Sequence, residues 1–289
     1  MTLPHLFLMI AICLVWGLSF IIGKIGVMSF PPIFFTGLRF ALLAILLLPY
    51  LRPQRGQMVN IVLVSLVMGL LYFALLYGGL YLAENMSLIA VAVQLNVPFA
   101  ALLSTLFLGE QVGWRRWFAI ALAFFGVMLI GFDPLIFGDI DGLMLVLLAA
   151  FCNAIGMILM RRMRGVGVFQ LQAWIAMLSW PTLFAVSFMV EGGLGAAVAQ
   201  AGAAAWGAVL FAALGAGLVG HAGMFYLLQR YEVSQVAPLT LLAPLFGVLF
   251  GVSLWGDEVT WRMGLGGSMT LLGVLIIALR KKAIAEKIP

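Results

Sequence analysis

Ten apolar stretches, each about as long as a bilayer is thick when coiled into a helix, follow one another with short connections between them. A helix needs about 20 largely apolar residues to cross the hydrocarbon core. The stretches lie near residues 4–27, 32–51, 58–82, 87–108, 114–132, 141–162, 168–190, 203–229, 233–254 and 262–281. Charged residues are 9% of the 289, hydrophobic residues 65%, and the mean hydropathy is +1.21. A soluble domain carries about 25% charged residues because its surface must be hydrated. Soluble enzymes, secreted disulfide scaffolds and disordered chains are thereby excluded. The runs are too long and too continuous for the alternating strands of an outer-membrane barrel. The expected fold is an all-α integral membrane protein of ten transmembrane helices.

Charge placement predicts how the chain is threaded. With the N-terminus cytoplasmic, Arg52, Arg55, Arg115, Arg116, Arg161, Arg162, Arg164, Arg230, Arg280, Lys281, Lys282 and Lys287 all fall inside, which is 12 of the 15 basic residues. Lys24, Arg39 and Arg262 lie toward the other side, with Glu84, Asp133, Asp139, Asp141, Glu191, Asp257 and Glu258. Ten spans with both termini cytoplasmic follow, and the net charge of +5 reflects this topology rather than nucleic-acid binding. The first run has no basic leader and is longer than the 7–15 or so residues of a signal-peptide core, so it is expected to remain as a span. Cys13 and Cys152 sit inside apolar runs and read as small buried hydrophobes.

The chain repeats itself. The stretch from Leu95, LNVPFAALLSTLFLGEQVGWRRW, matches LLAPLFGVLFGVSLWGDEVTWRM from Leu241. Pro98 aligns with Pro244. With one inserted residue, Gly109, Glu110, Val112, Trp114 and Arg115 fall on Gly256, Asp257, Val259, Trp261 and Arg262, and Gly126-Val127 meets Gly273-Val274. The division lies near Asp133–Asp141 and gives halves 1–134 and 135–289. Five spans per half is an odd number, so the halves enter the membrane from opposite sides. That is an inverted-topology repeat around a central cavity, the architecture of alternating access.

These features resemble the EamA family of the drug/metabolite transporter superfamily. The similarity rests on the apolar-Pro helix, Gly-acid turn and Trp-led last helix of each half. It rests also on Trp16-Gly17-Leu18-Ser19-Phe20 with Gly23-Lys24, and on Gly37-Leu38-Arg39-Phe40. The resemblance covers nearly the whole chain and implies a metabolite exporter of the bacterial inner membrane, with aromatic amino-acid exporters nearest in pattern. It also implies a central cavity bounded by helices one, three, four, six, eight and nine.

Polar groups at membrane depth are costly and usually face the bundle interior or a wet cavity. The candidates for substrate contact are Trp16, Ser19, Tyr77, Tyr81, Gln94, Asn96, Asn153, His221, Tyr226 and Thr240. Tyr77 and Tyr81 share a helical face, where either core packing or cavity lining would place them. Gln94 and Asn96 point about 200° apart, so one of them faces away from any shared cavity and would bond between helices. His221 is the lone mid-span imidazole and fits either a structural hydrogen bond or a proton carrier.

Pro98 and Pro244 each free a carbonyl at membrane depth, as kinks or as paired gates. Lys24 and Arg39 are expected toward the outer ends of their spans, snorkelling or paired with outer carboxylates, or else meeting a substrate anion. Arg161 stands at the corresponding place in the second half and would make a symmetric basic gate. Trp114, Trp117, Trp206, Trp255 and Trp261 read as interfacial anchors. Ala212, Ala216, Gly220, Ser253, Gly266 and Thr270 offer the small-residue spacing that lets helices approach closely.

All ten carboxylates fall in loops or at span ends. Uncoupled transport, or coupling through a group other than a carboxylate, is therefore expected. The sequence points to a small-molecule substrate, an amino acid with an aromatic or apolar side chain being favoured, carried by a monomer in lipid without cofactor, metal or nucleic acid. A multidrug exporter is the alternative and would want a buried counter-charge for cationic cargo. A membrane-embedded enzyme would need a metal cluster or an acid/base pair at depth, and two histidines without a mid-span acid do not supply one.

Overall fold

The computed structural model describes residues 2–108, 113–131, 139–163, 166–228, 230–231 and 237–279. Among these, every regular element is helical and none is a strand. Six helices are long and apolar enough to cross a membrane: α1 (Leu3–Ser29), α3 (Met58–Leu82), α4 (Met86–Phe107), α6 (Ile140–Met160), α7 (Val168–Val190) and α8 (Ala203–His221). Four shorter apolar helices accompany them: α2 (Pro32–Leu46), α5 (Trp117–Ile130), α9 (Leu239–Trp255) and α10 (Trp261–Ile277). The helix α2 stops at Leu46, short of the expected residue 51, because Pro49 diverts the chain into a single 3₁₀ turn at Leu48–Tyr50.

The helices are regular except at a few places. Pro98 has no N–H to give the carbonyl four residues back, that of Gln94, and the chain tightens there into a 3₁₀ turn at Val93–Leu95. The same happens before Pro244, where Ala237–Leu241 is 3₁₀ and carries Thr240. Wide π-helical turns occupy Ser65–Tyr72 in α3, Phe211–Ala222 in α8 and Gly251–Trp255 in α9.

The packing is pairwise. Helix α1 lies against α8 and α9, and α6 lies against α3 and α4; α2 pairs with α7, α4 with α9, and α5 with α10. The repeated Gly-Val has a clear purpose at the α5–α10 crossing. A side chain on Gly126 would strike the carbonyl of Gly266 and the hydroxyl of Thr270, and one on Gly273 would strike Ala119 and Ala123. Thr270 Oγ1 donates across the crossing to Ala123 O at 3.2 Å and within its own helix to Gly266 O at 2.9 Å. Ser253, by contrast, is exposed and only bonds back to Leu249 O. Cys13 and Cys152 are free and buried. Trp114, Trp117, Trp206 and Trp261 are all exposed on the surface of the bundle.

One end of the bundle is built around carboxylates. The first N–H groups of a helix have no intrahelical partner, and an anion there also meets the positive end of the helix dipole. Glu191, just past α7, accepts from the backbone N–H of Ile33 and Phe34 at 2.8 and 2.9 Å at the start of α2, and from the Ser187 hydroxyl at 2.7 Å. Asp139 accepts from the N–H of Glu84 and Asn85 at 2.6 and 3.1 Å. Asp257 takes the N–H of Met86 and Ser87 at 3.2 and 2.6 Å and the Ser87 hydroxyl at 2.6 Å. Its neighbour Gly256 sits at φ +83°, the left-handed turn that delivers Asp257 beneath α4. The Gly-acid motif of the second half is therefore a helix-capping device. Its counterpart Gly109-Glu110 lies outside the described residues.

Candidate functional site

Trp16, Arg39, Tyr72, Asn96 and Asn153 come from α1, α2, α3, α4 and α6, and each stands near the midpoint of its helix. They form a linked band across the bundle. The Asn96 amide donates to Asn153 Oδ1 at 3.4 Å, and Asn153 is hydrogen-bonded to the Tyr72 hydroxyl. The Tyr72 ring lies 4.6 Å from that of Phe73, whose face carries the Arg39 guanidinium at 3.9 Å. Arg39 Nη1 donates to the Tyr77 hydroxyl at 3.3 Å. Tyr72 and His221 both lie within range of the Arg39 charge. The imidazole of His221 lies 5.7 Å from the Trp16 indole, and glycine at 220 leaves room for that indole.

Two basic residues depart from expectation. Arg39 does not snorkel, and no carboxylate among the described residues pairs with it. It is 2% exposed, at the centre of α2, with π faces of Phe73, Phe40 and Tyr77 around it. The reason is the early end of α2, which moves Arg39 from the outer part of a longer span to mid-helix. Lys24 is also buried, and its ammonium donates to the carbonyls of Tyr81 and Ala83 at 2.8 and 2.5 Å. It closes the C-terminal turn of α3, where a cation suits the negative end of the dipole.

The remaining candidates divide. Tyr77 is buried and joins Arg39, while Tyr81, one turn on, is half-exposed at the last turn of α3, beyond the layer of neighbours that covers Tyr77. Ser19 bonds back to Trp16 O at 2.6 Å, which holds the hydroxyl on its own helix. Gln94 is half-buried in the 3₁₀ turn before Pro98, and Pro98 and Pro244 are both buried. Thr240 is half-buried in the matching turn.

Tyr226 lies far from the band, in a cluster at the opposite end from the carboxylates. Its hydroxyl meets His5 Nε2 at 3.4 Å, and Arg230 stacks 3.7 Å from its ring. His5 Nδ1 also meets the Tyr231 hydroxyl at 2.6 Å, and hydrogen bonds from Thr2 hold the Tyr231 phenol below its usual range. The side chain of Arg161 lies outside the described residues. Sequence reasoning missed Phe73 as the ring under Arg39; an aromatic directly after Tyr72 at mid-span was the available signal.

Two crevices open on the flank of α3. One of about 190 Å³ is lined by Ser65, Leu70, Ser179 and Thr182, and one of about 460 Å³ by Pro32, Leu71, Leu75, Gly78, Leu145 and Glu191. Neither is lined by a residue of the central band.

The sequence matches the model of the EamA-like transporter family twice, over residues 3–132 and 140–279. The chain belongs to the EamA-like transporter family. It is a multi-pass membrane transporter and not an enzyme. Full-length similarity joins it to a "Probable amino-acid metabolite efflux pump" of Escherichia coli strain K12, 27% identical over 277 residues and 93% of each chain. The pump of the same description in Salmonella typhimurium is 27% identical over 280 residues, 94% of this chain and 93% of that one. The inner membrane transporter YedA of Escherichia coli is 25% identical over 291 residues, 99% of this chain and 94% of its own. A crystal structure of a further protein superposes with a TM-score of 0.63 over 98% of this chain and 99% of the other at 17% identity, a likeness of fold.

Proposed function

We propose that this chain exports amino acids with aromatic or apolar side chains across the bacterial inner membrane by alternating access. The observation that carries the reading is the central band, polar side chains from five helices held at mid-helix in an otherwise apolar bundle. Such groups are retained at depth where a substrate needs them. The descriptions of the Escherichia coli and Salmonella typhimurium relatives favour amino acids and their metabolites as cargo, and that of YedA favours the inner membrane.

The architecture proposed for this is two five-helix halves, 1–134 and 135–289, of inverted topology, with both termini cytoplasmic. The pairings support it. Exchanging α1–α5 for α6–α10 turns α1–α9 into α6–α4 and α1–α8 into α6–α3, and leaves α2–α7, α4–α9 and α5–α10 as themselves. The 3₁₀ turns before Pro98 and Pro244 follow the same exchange and are the proposed paired gating elements. In this frame Arg161 would stand opposite Lys24 as a second basic group near a gate. A monomer suffices, because one chain encloses the band.

A multidrug exporter of cationic cargo fits less well, since the charged group at the centre is the Arg39 guanidinium. Among the described residues the carboxylates stand at helix ends, which favours transport without a mid-membrane acid for proton coupling. Uptake of radiolabelled phenylalanine, tryptophan, methionine and leucine by proteoliposomes, with and without an imposed pH gradient, tests the reading. Saturable flux without a gradient is expected. No flux of any amino acid overturns the cargo, and flux that demands the gradient overturns the uncoupled mechanism.

A further inference from the structure

Three side-chain polar atoms among the described residues are shielded from solvent and have no hydrogen-bond partner: Trp16 Nε1, Arg39 Nε and Asn96 Oδ1. All three belong to the central band. A buried polar group without a partner is expensive, and native structures leave few of them. Two of the atoms are donors and one is an acceptor. One donor belongs to a guanidinium that is 98% buried, being 2% exposed. Its contacts among the described residues are a neutral phenol and aromatic faces, which attract a cation without neutralising it.

The contrast with Lys24 is instructive. That ammonium is engaged with two carbonyls, whereas Arg39 keeps its Nε free, one arm of the fork that binds a carboxylate through two parallel hydrogen bonds. Asp139, Glu191 and Asp257 are all occupied with helix starts at the end of the bundle. No carboxylate among the described residues is placed against the Arg39 guanidinium, which leaves it open to an anion that they do not supply.

Resting on the proposed function, we infer that Arg39 is the binding group for the α-carboxylate of the cargo, with Trp16 Nε1 as a second donor and Asn96 Oδ1 as the acceptor for its ammonium. The substrate class is then the zwitterion of an amino acid, with the carboxylate obligatory and the amine auxiliary. Amines, amides and esters of the same side chain are poor cargo, although they are equally or more hydrophobic. The aromatic faces of Phe73 and Tyr77 hold the guanidinium in the empty carrier, so that it is available without a protein carboxylate competing for it.

Binding to the detergent-solubilised full chain, read by calorimetry, tests this independently of transport. The probes are phenylalanine, 3-phenylpropionate, phenylalaninamide, phenethylamine and phenyl phosphate. Phenylalanine is expected to bind best and 3-phenylpropionate measurably more weakly. The amide and the amine should fall about 10- to 100-fold below phenylalanine, the range of a lost charged hydrogen bond. The variant R39K should lose about tenfold for phenylalanine while leaving the weak binding of phenethylamine unchanged. Equal binding of acid and amide, no binding of either carboxylate, or tighter binding of phenyl phosphate than of 3-phenylpropionate would each overturn the assignment. Carboxylate-selective binding in a protein that moves no amino acid in liposomes would uphold it and sink the proposed function instead.

Discussion

At the carboxylate end of the bundle, Asp139, Glu191 and Asp257 each accept two or three hydrogen bonds, from backbone N–H groups at or just before a helix start and from the hydroxyls of Ser87 and Ser187. At the centre, Trp16, Arg39 and Asn96 keep polar atoms buried and unpartnered. Both regions bury polarity where water is scarce, yet one is saturated and the other is not. The difference separates groups that hold the fold from groups that await something else. Substitutions at the first region should therefore lower stability, and substitutions at the second should alter binding with little loss of stability.

The largest effect is expected for Asp257→Ala. It would strand the N–H groups of Met86 and Ser87 and the Ser87 hydroxyl inside the protein, and lose the charge at the start of α4. Removing a buried charged acceptor with its partners left in place costs about 3–5 kcal/mol. Thermal unfolding in detergent reads this, and Asp257→Asn should recover part of it. A variant as stable as the parent would mean that water replaces the carboxylate and that this end is not saturated in the way described.

Next is Lys24→Met, which removes the donor from the carbonyls of Tyr81 and Ala83 and should cost about 2 kcal/mol of stability. Its effect on amino-acid flux should be small once the loss of folded protein is corrected for. A specific rise in substrate KM with normal stability would move Lys24 from the saturated class to the open one. Tyr77→Phe follows at about 1 kcal/mol, the value of one neutral-acceptor hydrogen bond, here the one to Arg39 Nη1. It should weaken phenylalanine binding severalfold, because the guanidinium is then less firmly aimed. A change in stability without a change in affinity would separate Tyr77 from the site.

Hydropathy made the apolar helices legible, because the cost of unbonded backbone in lipid leaves a run of that length few alternatives to a helix. The repeated Pro and Gly positions were legible as well, and Pro98, Pro244, Gly126 and Gly273 fall at two tightened turns and one close crossing. The central band was legible residue by residue through Trp16, Tyr77, Asn96, Asn153 and His221. What sequence could not give was depth and partnership. Five extra residues, 47–51, assigned to α2 displaced Arg39 toward the surface, although Pro49 carried the signal that the helix ends early. Tyr77 and Tyr81 do share a face, but the neighbours differ one turn apart, and shared periodicity says nothing of that. Tyr226 belonged to the same list on polarity alone and went to the far end with His5.

The smallest expected change in stability is the sharpest test of the comparison, and it belongs to Arg39→Met. An ordinary buried charge is held by an opposite charge, and removing one partner of such a pair costs several kcal/mol because the other is left exposed to the low dielectric. Among the described residues Arg39 has no carboxylate to strand. Its loss removes one hydrogen bond to Tyr77 and the contacts with Phe73, and it also removes the penalty of burying a guanidinium without an anion. These oppose each other, and methionine refills much of the volume with a flexible apolar chain. The net change should be within about 1 kcal/mol of zero, with phenylalanine binding lost. Thermal unfolding with and without phenylalanine reads both at once, since a ligand raises the midpoint only of a protein it binds. The parent should be stabilised by phenylalanine, and Arg39→Met should melt near the ligand-free parent with or without it. A variant that melts far lower would place Arg39 with Asp257 among the groups that hold the fold, and the distinction between the two regions would fail.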